Sequence, residues 1–381
     1  MIQLPSKENC CGCLGCEAVC PKGAIKSIKD EDGFIYPSVD AQLCVDCGLC
    51  MKKCSFIKKN GRESEVDTVW AYRIADKEIL ADSTSGGAFT ALSDMVLADG
   101  GVIAACIMDE NFNALHILAS DKTTRDRMRR SKYVQSNTEG IFQQVKQELE
   151  SGKTVLFIGT PCQTAQMDVY AGVYRDKLIT CDFLCHGVPN NDFFKAHIAW
   201  LEKIYGKKTT GYLFRGKKYG WNHMIQEVVF EGKKVRSDKK VQAYSRFFYA
   251  GVSLRPSCYN CRYRSTERSS DLTIADFWGI DKMLGKTDNR GYSMIAANTA
   301  KGKELVKLLK ESGELIPVDK EKVMWRISEP ISKCKFDRNE FWELYRKKGY
   351  SALVDRYTDT STKASVIHNV KKRIKRILNR I

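Results

Sequence analysis

Nine cysteines fall between positions 10 and 54, and eight of them repeat one spacing. Cys10-x2-Cys13-x2-Cys16-x3-Cys20 is followed by Cys44-x2-Cys47-x2-Cys50-x3-Cys54. Three thiolates set on one tight loop can reach three corners of an iron–sulfur cube. The fourth lies further along the following helix and ligates the other cluster. The spacing therefore assigns Cys10, Cys13, Cys16 and Cys54 to one [4Fe–4S] cluster, and Cys44, Cys47, Cys50 and Cys20 to a second. A zinc ribbon needs only two cysteine pairs, and a disulfide framework belongs to secreted chains. Pro21 completes the first run, whereas Ser55 stands where a second proline often would, and Cys11 is surplus to the ligand scheme, a packed neighbour.

Between the runs, AIKSIKDEDGFIYPSVD predicts two short β segments turning at Asp32-Gly33, which brings the second run back beside the first. Residues 1–59 are thus expected to form a two-[4Fe–4S] ferredoxin domain. The polar stretch KKNGRESEVD reads as a linker. After it, TVWAYRIA, GGVIAACIMD and NALHILAS read as strands, while GAFTALSDMVLAD and EGIFQQVKQELESG read as helices, the second closed by Gly152. TVLFIGTPCQ and KLITCDFLCHG are short β-branched runs, each ending in a turn that carries a cysteine. The alternation predicts an α/β chain (α+β overall) with a larger mixed-sheet domain over 68–335. A helical region over 336–381 follows, in which DRNEFWELYRKKGYSALVDRY is expected on the outer surface, ahead of a basic amphipathic tail.

A chain of 381 residues calls for two or three domains, and no run of about 18 consecutive apolar residues is present for a spanning helix. The start, MIQLPSKENC, lacks the basic and apolar segments of a leader, so a cytoplasmic protein is expected. Sixteen cysteines in that compartment imply metal or redox chemistry. The net charge of +16 invites a nucleic-acid reading, but residues 363–381 hold seven basic side chains and no acidic one, so nearly half the excess is confined to a tail. In 365–381, Val366, Ile367, Val370, Ile374, Ile377, Leu378 and Ile381 recur at helical spacing opposite lysines and arginines. Such a helix either lies on an anionic membrane surface, at the inner face, or docks its apolar stripe on the protein itself.

In ADSTSGGAFTAL, Ser83, Ser85, Gly86 and Gly87 directly precede a helical pattern. Backbone N–H groups at that helix start would suit a phosphate of a nucleotide cofactor; the alternative is a serine-capped helix start. Lys132 and Tyr133 pair a cation with a ring, which fits either a flavin contact or a solvated lysine beside a packed tyrosine. FIGTPCQ sets Gly159, Thr160, Pro161, Cys162 and Gln163 at a strand end, where α/β sheets keep their ligand crevice. Cys185 ends an equivalent strand, and SCYNCRYR adds Cys258 and Cys261. These four thiolates are enough for a third cubane or for a four-cysteine zinc site, and the two clusters ahead of them favour iron–sulfur. His186 is a candidate proton donor, set against the commoner structural role of a lone histidine. Cys106 and Cys181 read as core thiols, and Cys334 belongs to no motif.

Taken in order over 70–279, STSGGAFTAL, SKYVQS, VLFIGTPCQ, LCHGVP, FRGKKYGW, SCYNCRY and DLTIADFWG give the chain its resemblance to the coenzyme F420 hydrogenase/dehydrogenase beta-subunit family, in a form with a fused ferredoxin module. The resemblance implies an FAD held by the small-residue and strand-end motifs, with a cluster beside it on Cys162, Cys185, Cys258 and Cys261. It fades beyond Gly279, and the basic tail departs from it. The expectation is an FAD-dependent iron–sulfur oxidoreductase. Electrons from a redox partner protein or soluble carrier would pass through the clusters to FAD and an organic acceptor. A deazaflavin, a quinone-like or pigment-like molecule, and an unsaturated sugar or lipid-linked intermediate all satisfy that description. The alternative is a non-catalytic electron-transfer subunit that docks a separate catalytic protein.

Overall fold

The computed structural model of the chain describes residues 2–57, 64–286, 288–323, 334 and 336–358. The basic tail 365–381 and most of the expected linker lie outside the described residues. Among the described residues no helix is long and apolar enough to cross a membrane.

The two cysteine runs fold alike. At the third position of each, Gly12 (φ 63°) and Asp46 (φ 53°) are left-handed, and at the fifth so are Leu14 (φ 58°) and Gly48 (φ 71°). Each run then enters a one-turn helix, Gly15–Ala18 and Leu49–Lys52. Between them β1 (Ile25–Lys29) and β2 (Ile35–Val39) pair antiparallel. Gly33 (φ 91°) takes the left-handed position that their turn demands.

The larger part is built on one eight-stranded mixed sheet. Before it, β3 (Ser64–Glu65) follows the linker. The sheet takes in β4 (Thr68–Ile74), β5 (Val102–Met108), β6 (Ala114–Ala119), β7 (Val155–Ile158) and β8 (Leu178–Phe183). A separate three-stranded sheet holds β9 (Thr209–Gly216), β10 (Ile225–Phe230) and β11 (Lys233–Arg236). The short β12 (Glu267–Arg268) pairs with β3, tying the linker's end to the cysteine-bearing 258–268 segment. The chain returns to the main sheet with β13 (Leu272–Asp276), β14 (Ser293–Ala297) and β15 (Gly313–Val318), giving the order β15-β4-β14-β13-β8-β7-β5-β6.

Strands β5, β7, β8 and β13 run parallel. All four residues of β7 are buried because helices cover both faces of the sheet. Leu156 and Ile158 pack on one side with Leu92 and Val96 of the helix Ala88–Ala98. Val155 and Phe157 pack on the other with Phe142, Val145 and Met167, the period of two expected of a strand. The helix Ile141–Glu150 is entered through Gly140 (φ 73°) and left through Gly152 (φ 89°).

The helix Arg338–Tyr357 differs from its expected place on the surface. Its Phe341, Trp342, Tyr350 and Leu353 are buried in an aromatic core with Phe193, Phe194, Tyr244 and Phe247, and Phe34 of the ferredoxin hairpin joins the same core. The charged residues between them hide this stripe in the sequence. A break at Gly349 (φ 74°, ψ −175°) re-aims the second half of the helix onto the same core.

Candidate functional site

The four cysteines of each ferredoxin set meet in space. Cys20, Cys44, Cys47 and Cys50 line one cavity, with Ile2, Ile25 and Val39 around them. Cys10, Cys13, Cys16 and Cys54 line a second, together with Cys11, Phe56 and Gln166, and Cys50 of the other set borders both. In both cavities the fourth cysteine of one run stands with the first three of the other. Burial pushes the Cys10 thiol up to about 11, and pushes Cys16 and Cys54 up as well. These shifts follow from gathering the thiols away from water. Among the described residues no three His, Cys, Asp or Glu side chains close on a point suited to one metal ion.

Cys162, Cys185, Cys258 and Cys261 form a third set of mutual electrostatic neighbours. Cys162 opens the helix Pro161–Ala171 directly after β7, and Cys185 follows β8, so the parallel strands β7 and β8 deliver both to one edge. Cys258 closes the short turn Pro256–Cys258. Burial raises Cys258 to about 12 and Cys261 to about 11. Cys162 is drawn down to about 7, first by its contact with Cys11, against burial, with help from the Thr160 hydroxyl and the Arg255 charge. The helix carrying it is locked to the sheet underneath, since the buried Arg175 pairs with Asp168 of that helix and, at 2.8 Å, with Asp271 ahead of β13.

The first and third sets are adjacent. The Cys11 thiol sits against the sulfurs of Cys13 and Cys162. Cys11, Cys13, Phe56, Ala165 and Tyr263 form one buried cluster, with Cys54, Cys162 and Cys261 packed on it. Cys11, with no ligand role from its spacing, is therefore the thiol between the first and third cysteine sets. Side chains of the larger part satisfy the carbonyls of the first cysteine loop: Arg255 donates to Cys10 O (3.1 Å), Gln135 to Cys11 O (2.9 Å) and Thr138 to Cys13 O (2.8 Å). Gln166 takes the Ser55 N–H (3.1 Å) and donates to Lys53 O (3.0 Å). Ser55 thus uses an N–H that a proline would lack, which explains the departure in the second run.

The residues named for a flavin collect at the carboxyl edge of the parallel strands, but their donors are already engaged. Ser85 Oγ donates to Tyr292 O (2.6 Å) and Ser83 Oγ to Ile79 O (2.6 Å). The Gly86 N–H goes to Ser293 Oγ (2.9 Å), and a Cβ at Gly86 would stand 2.1 Å from Tyr72 O, so close packing of loop on sheet requires that glycine. Gly87 (φ 88°) precedes the helix Ala88–Ala98 without a side-chain cap. Lys132 Nζ donates to the carbonyls of Met128 (2.7 Å) and Arg129 (2.8 Å), and burial lowers it to about 8. The Tyr133 ring stacks on Phe248 at 4.8 Å. Gln163 Oε1 accepts from the Thr160 N–H (3.0 Å), while Pro161 fills the first helical position and Gly159 N–H meets Cys181 O. His186 directs Nε2 at Phe248 O (3.2 Å), with its ring beside Tyr249. Cys181 is fully buried in the core of the main sheet, and Cys106 is partly buried against the aromatic core of Phe193 and Trp342.

Sequence reasoning missed a cationic group at the same edge. Arg215, at the end of β9, pairs with Asp276 (2.5 Å) and lies 4.7 Å over the Trp278 ring. Lys217 beside it donates to Leu80 O (2.9 Å) and to Ser85 O, and burial lowers it to about 8. The motif FRGKKYGW contains both, and it was the available signal.

Residues 152–322 match the family model for the carboxy-terminal part of the coenzyme F420 hydrogenase/dehydrogenase beta subunit. An uncharacterized ferredoxin of Methanocaldococcus jannaschii is 42% identical over 48 residues, 13% of this chain and 61% of that protein. A subunit of the F(420)H(2) dehydrogenase of Methanosarcina mazei is 26% identical over 181 residues, 45% of this chain and 51% of that protein. The chain thus spans less than two thirds of either relative. A chain of the F420-reducing [NiFe] hydrogenase complex from Methanosarcina barkeri superposes with a TM-score of 0.46 at 17% identity, over 77% of this chain and 91% of that one. Over 152–322 the chain is thus similar to the carboxy-terminal part of the coenzyme F420 hydrogenase/dehydrogenase beta subunit, and ahead of that segment it is similar to a ferredoxin.

Proposed function

We propose that the chain is an iron–sulfur oxidoreductase in which electrons enter at the ferredoxin part, 1–59, and leave toward an organic acceptor at the carboxyl edge of the sheet in 68–335. The observation that carries this is the contact of Cys11 with both Cys13 and Cys162, which joins the first cysteine set to the third. Cys44, Cys47, Cys50 and Cys20 would hold one [4Fe–4S] cluster, Cys10, Cys13, Cys16 and Cys54 a second, and Cys162, Cys185, Cys258 and Cys261 a third. The lining of the two ferredoxin cavities by cysteine sulfurs fits such groups. When bound they supply one-electron transfer. Phe56 and Tyr263, buried between the first and third sets, keep water out of the gap. Lys217, held on the Leu80 and Ser85 carbonyls beside the Arg215–Asp276 pair, would set positive charge at the edge for an anionic acceptor.

An FAD at that edge belongs to the same reading. It would collect two single electrons for one hydride. The resemblance of the motifs and their congregation at the edge support it. The engaged donors of Ser83, Ser85, Gly86, Lys132 and Gln163 do not present themselves to a flavin, and no step here depends on one. That engagement favours the second reading, an electron-transfer subunit passing electrons to a separate catalytic protein. Anaerobic reconstitution followed by iron, sulfide and flavin analysis distinguishes them. About twelve irons, bound flavin and reduction of a deazaflavin support the oxidoreductase. Clusters with no flavin and no reduction of any small acceptor support the subunit, and about eight irons remove the third cluster from either reading.

A further inference from the structure

Arg73, Arg125, Arg175, Arg215 and Arg268 are all buried, and each meets a carboxylate. Arg255 is fully buried, yet it forms no ion pair with a carboxylate of any described residue. Its nitrogens donate to neutral oxygens instead: Nε to Gln135 Oε1 (2.8 Å), Nη1 to Cys10 O (3.1 Å) and Nη2 to Ile35 O (2.5 Å). Its plane lies 4.4 Å from the Tyr36 ring and 5.3 Å from Phe34. A buried cation left without an opposite charge is unfavourable, so a guanidinium placed this way is stabilised by an anionic group nearby.

The groups that would supply that charge belong to two cysteine sets. Nη1 is bonded to the first at the Cys10 carbonyl, and the backbone of Arg255 adjoins the third at Cys258. The Cys258 N–H is bonded to Arg255 O (3.0 Å), and a Cβ on Gly12 would stand 2.4 Å from Arg255 Nη2. The glycine between Cys11 and Cys13 therefore leaves the passage through which the side chain reaches the first cysteine loop.

We infer that Arg255 is a positioning residue, the shared counter-cation of the iron–sulfur groups held by the first and third cysteine sets. This rests on the cluster reading above. A [4Fe–4S] group with four thiolates is an anion that gains one further negative charge when it takes up one electron. A fixed cation therefore favours the reduced form of both neighbours and holds the ferredoxin part in register with the sheet. The Cys44 set, which Arg255 does not approach, is the internal control.

The test is an anaerobic redox titration of the full reconstituted chain, followed by electron paramagnetic resonance, with signals assigned to sites through C47S and C258S. Iron content is measured first on the wild type. About eight irons instead of about twelve would remove the third cluster while leaving the test at the first set intact. In Arg255→Met, the reduced-to-oxidised ratio at a poise near the wild-type midpoint should fall about tenfold at the first and third sites, ~59 mV for a one-electron couple. The Cys44 site should not move, and Arg255→Lys should restore most of the ratio. Unchanged ratios in an iron-loaded R255M, or an equal shift at all three sites, would overturn the inference. If R255M loads no iron, Gln135→Glu sets a carboxylate on Nε without removing the arginine. The same two sites should shift in the same direction, and a loaded Q135E with wild-type ratios would overturn the inference as decisively.

Discussion

Trp342, in the last helix, meets Phe34, in the hairpin between the cysteine runs, edge to face with ring centroids 5.6 Å apart and planes at 65°. Residues more than 300 positions apart thus share one buried core, and the ferredoxin part is stabilised from the far end of the chain. Trp342→Ala should cost ~3–5 kcal/mol, as large core truncations do. Urea unfolding of the apoprotein checks the loss. Limited proteolysis checks its reach, since the 25–39 hairpin should become more readily cut in the variant. A hairpin cut at the wild-type rate would show that its stability is independent of Trp342.

Ser55 offers a test of how the second cysteine run is docked. Its N–H bonds Gln166 Oε1, while its Oγ makes no hydrogen bond to any described residue. Ser55→Pro should lower stability by ~1–3 kcal/mol, because Gln166 loses a buried donor. Ser55→Ala keeps the N–H and should match the wild type. Equal denaturant midpoints for S55P and the wild type would deny the docking role.

Cys258 and Cys11 have opposite expected effects on iron content. Cys258→Ser should remove about four of about twelve irons, one cubane, with the two ferredoxin signals retained. Cys11→Ala should keep all of them, because its sulfur touches those of Cys13 and Cys162 without being counted in either proposed set. Iron analysis of the purified, reconstituted variants decides both. Loss of iron in C11A would make Cys11 a ligand.

Acid should destabilise the fold through two histidines. Burial holds His116 near 4 and His197 near 3, against an ordinary 6.5. Both stay neutral in the folded chain as pH falls below 6.5, whereas in the unfolded chain they take up protons. The unfolded state then binds more protons, so stability is full above about 6.5 and is lost toward 4, by ~1.4 kcal/mol per pH unit for each histidine. His116→Phe, stacked on Phe157 as the imidazole is, should reduce the difference in urea midpoint between pH 7 and pH 5. An unchanged difference would exclude His116 as a source of the acid sensitivity.

The regular elements were legible where one interaction range sets them. The β7 and β8 runs, the helix Ile141–Glu150 and the hairpin turn at Gly33 follow from local periodicity and backbone preference. β15 is not legible in the sequence, because Pro317 and its partly exposed residues weaken the strand pattern, and pairing with β4 supplies what propensity lacks. The last helix reads as a surface helix because its charge conceals a stripe that only a core built from Phe34, Phe193 and Phe247 makes visible.

The pairing of the two cysteine runs is legible in the sequence alone, because their cysteines sit on short loops where spacing is geometry. The expected exchange of fourth cysteines has its counterpart in the cavity linings, where Cys20 stands with the second run and Cys54 with the first. Tertiary structure decided what those runs face. Cys11 meets Cys162 across 151 positions, Ser55 meets Gln166 across 111, and Arg255 reaches Cys10 across 245. Such contacts depend on how the sheet orders its strands and on which carbonyls remain for a buried donor. No local pattern encodes either, so the connection between ferredoxin part and sheet exists only in the folded chain.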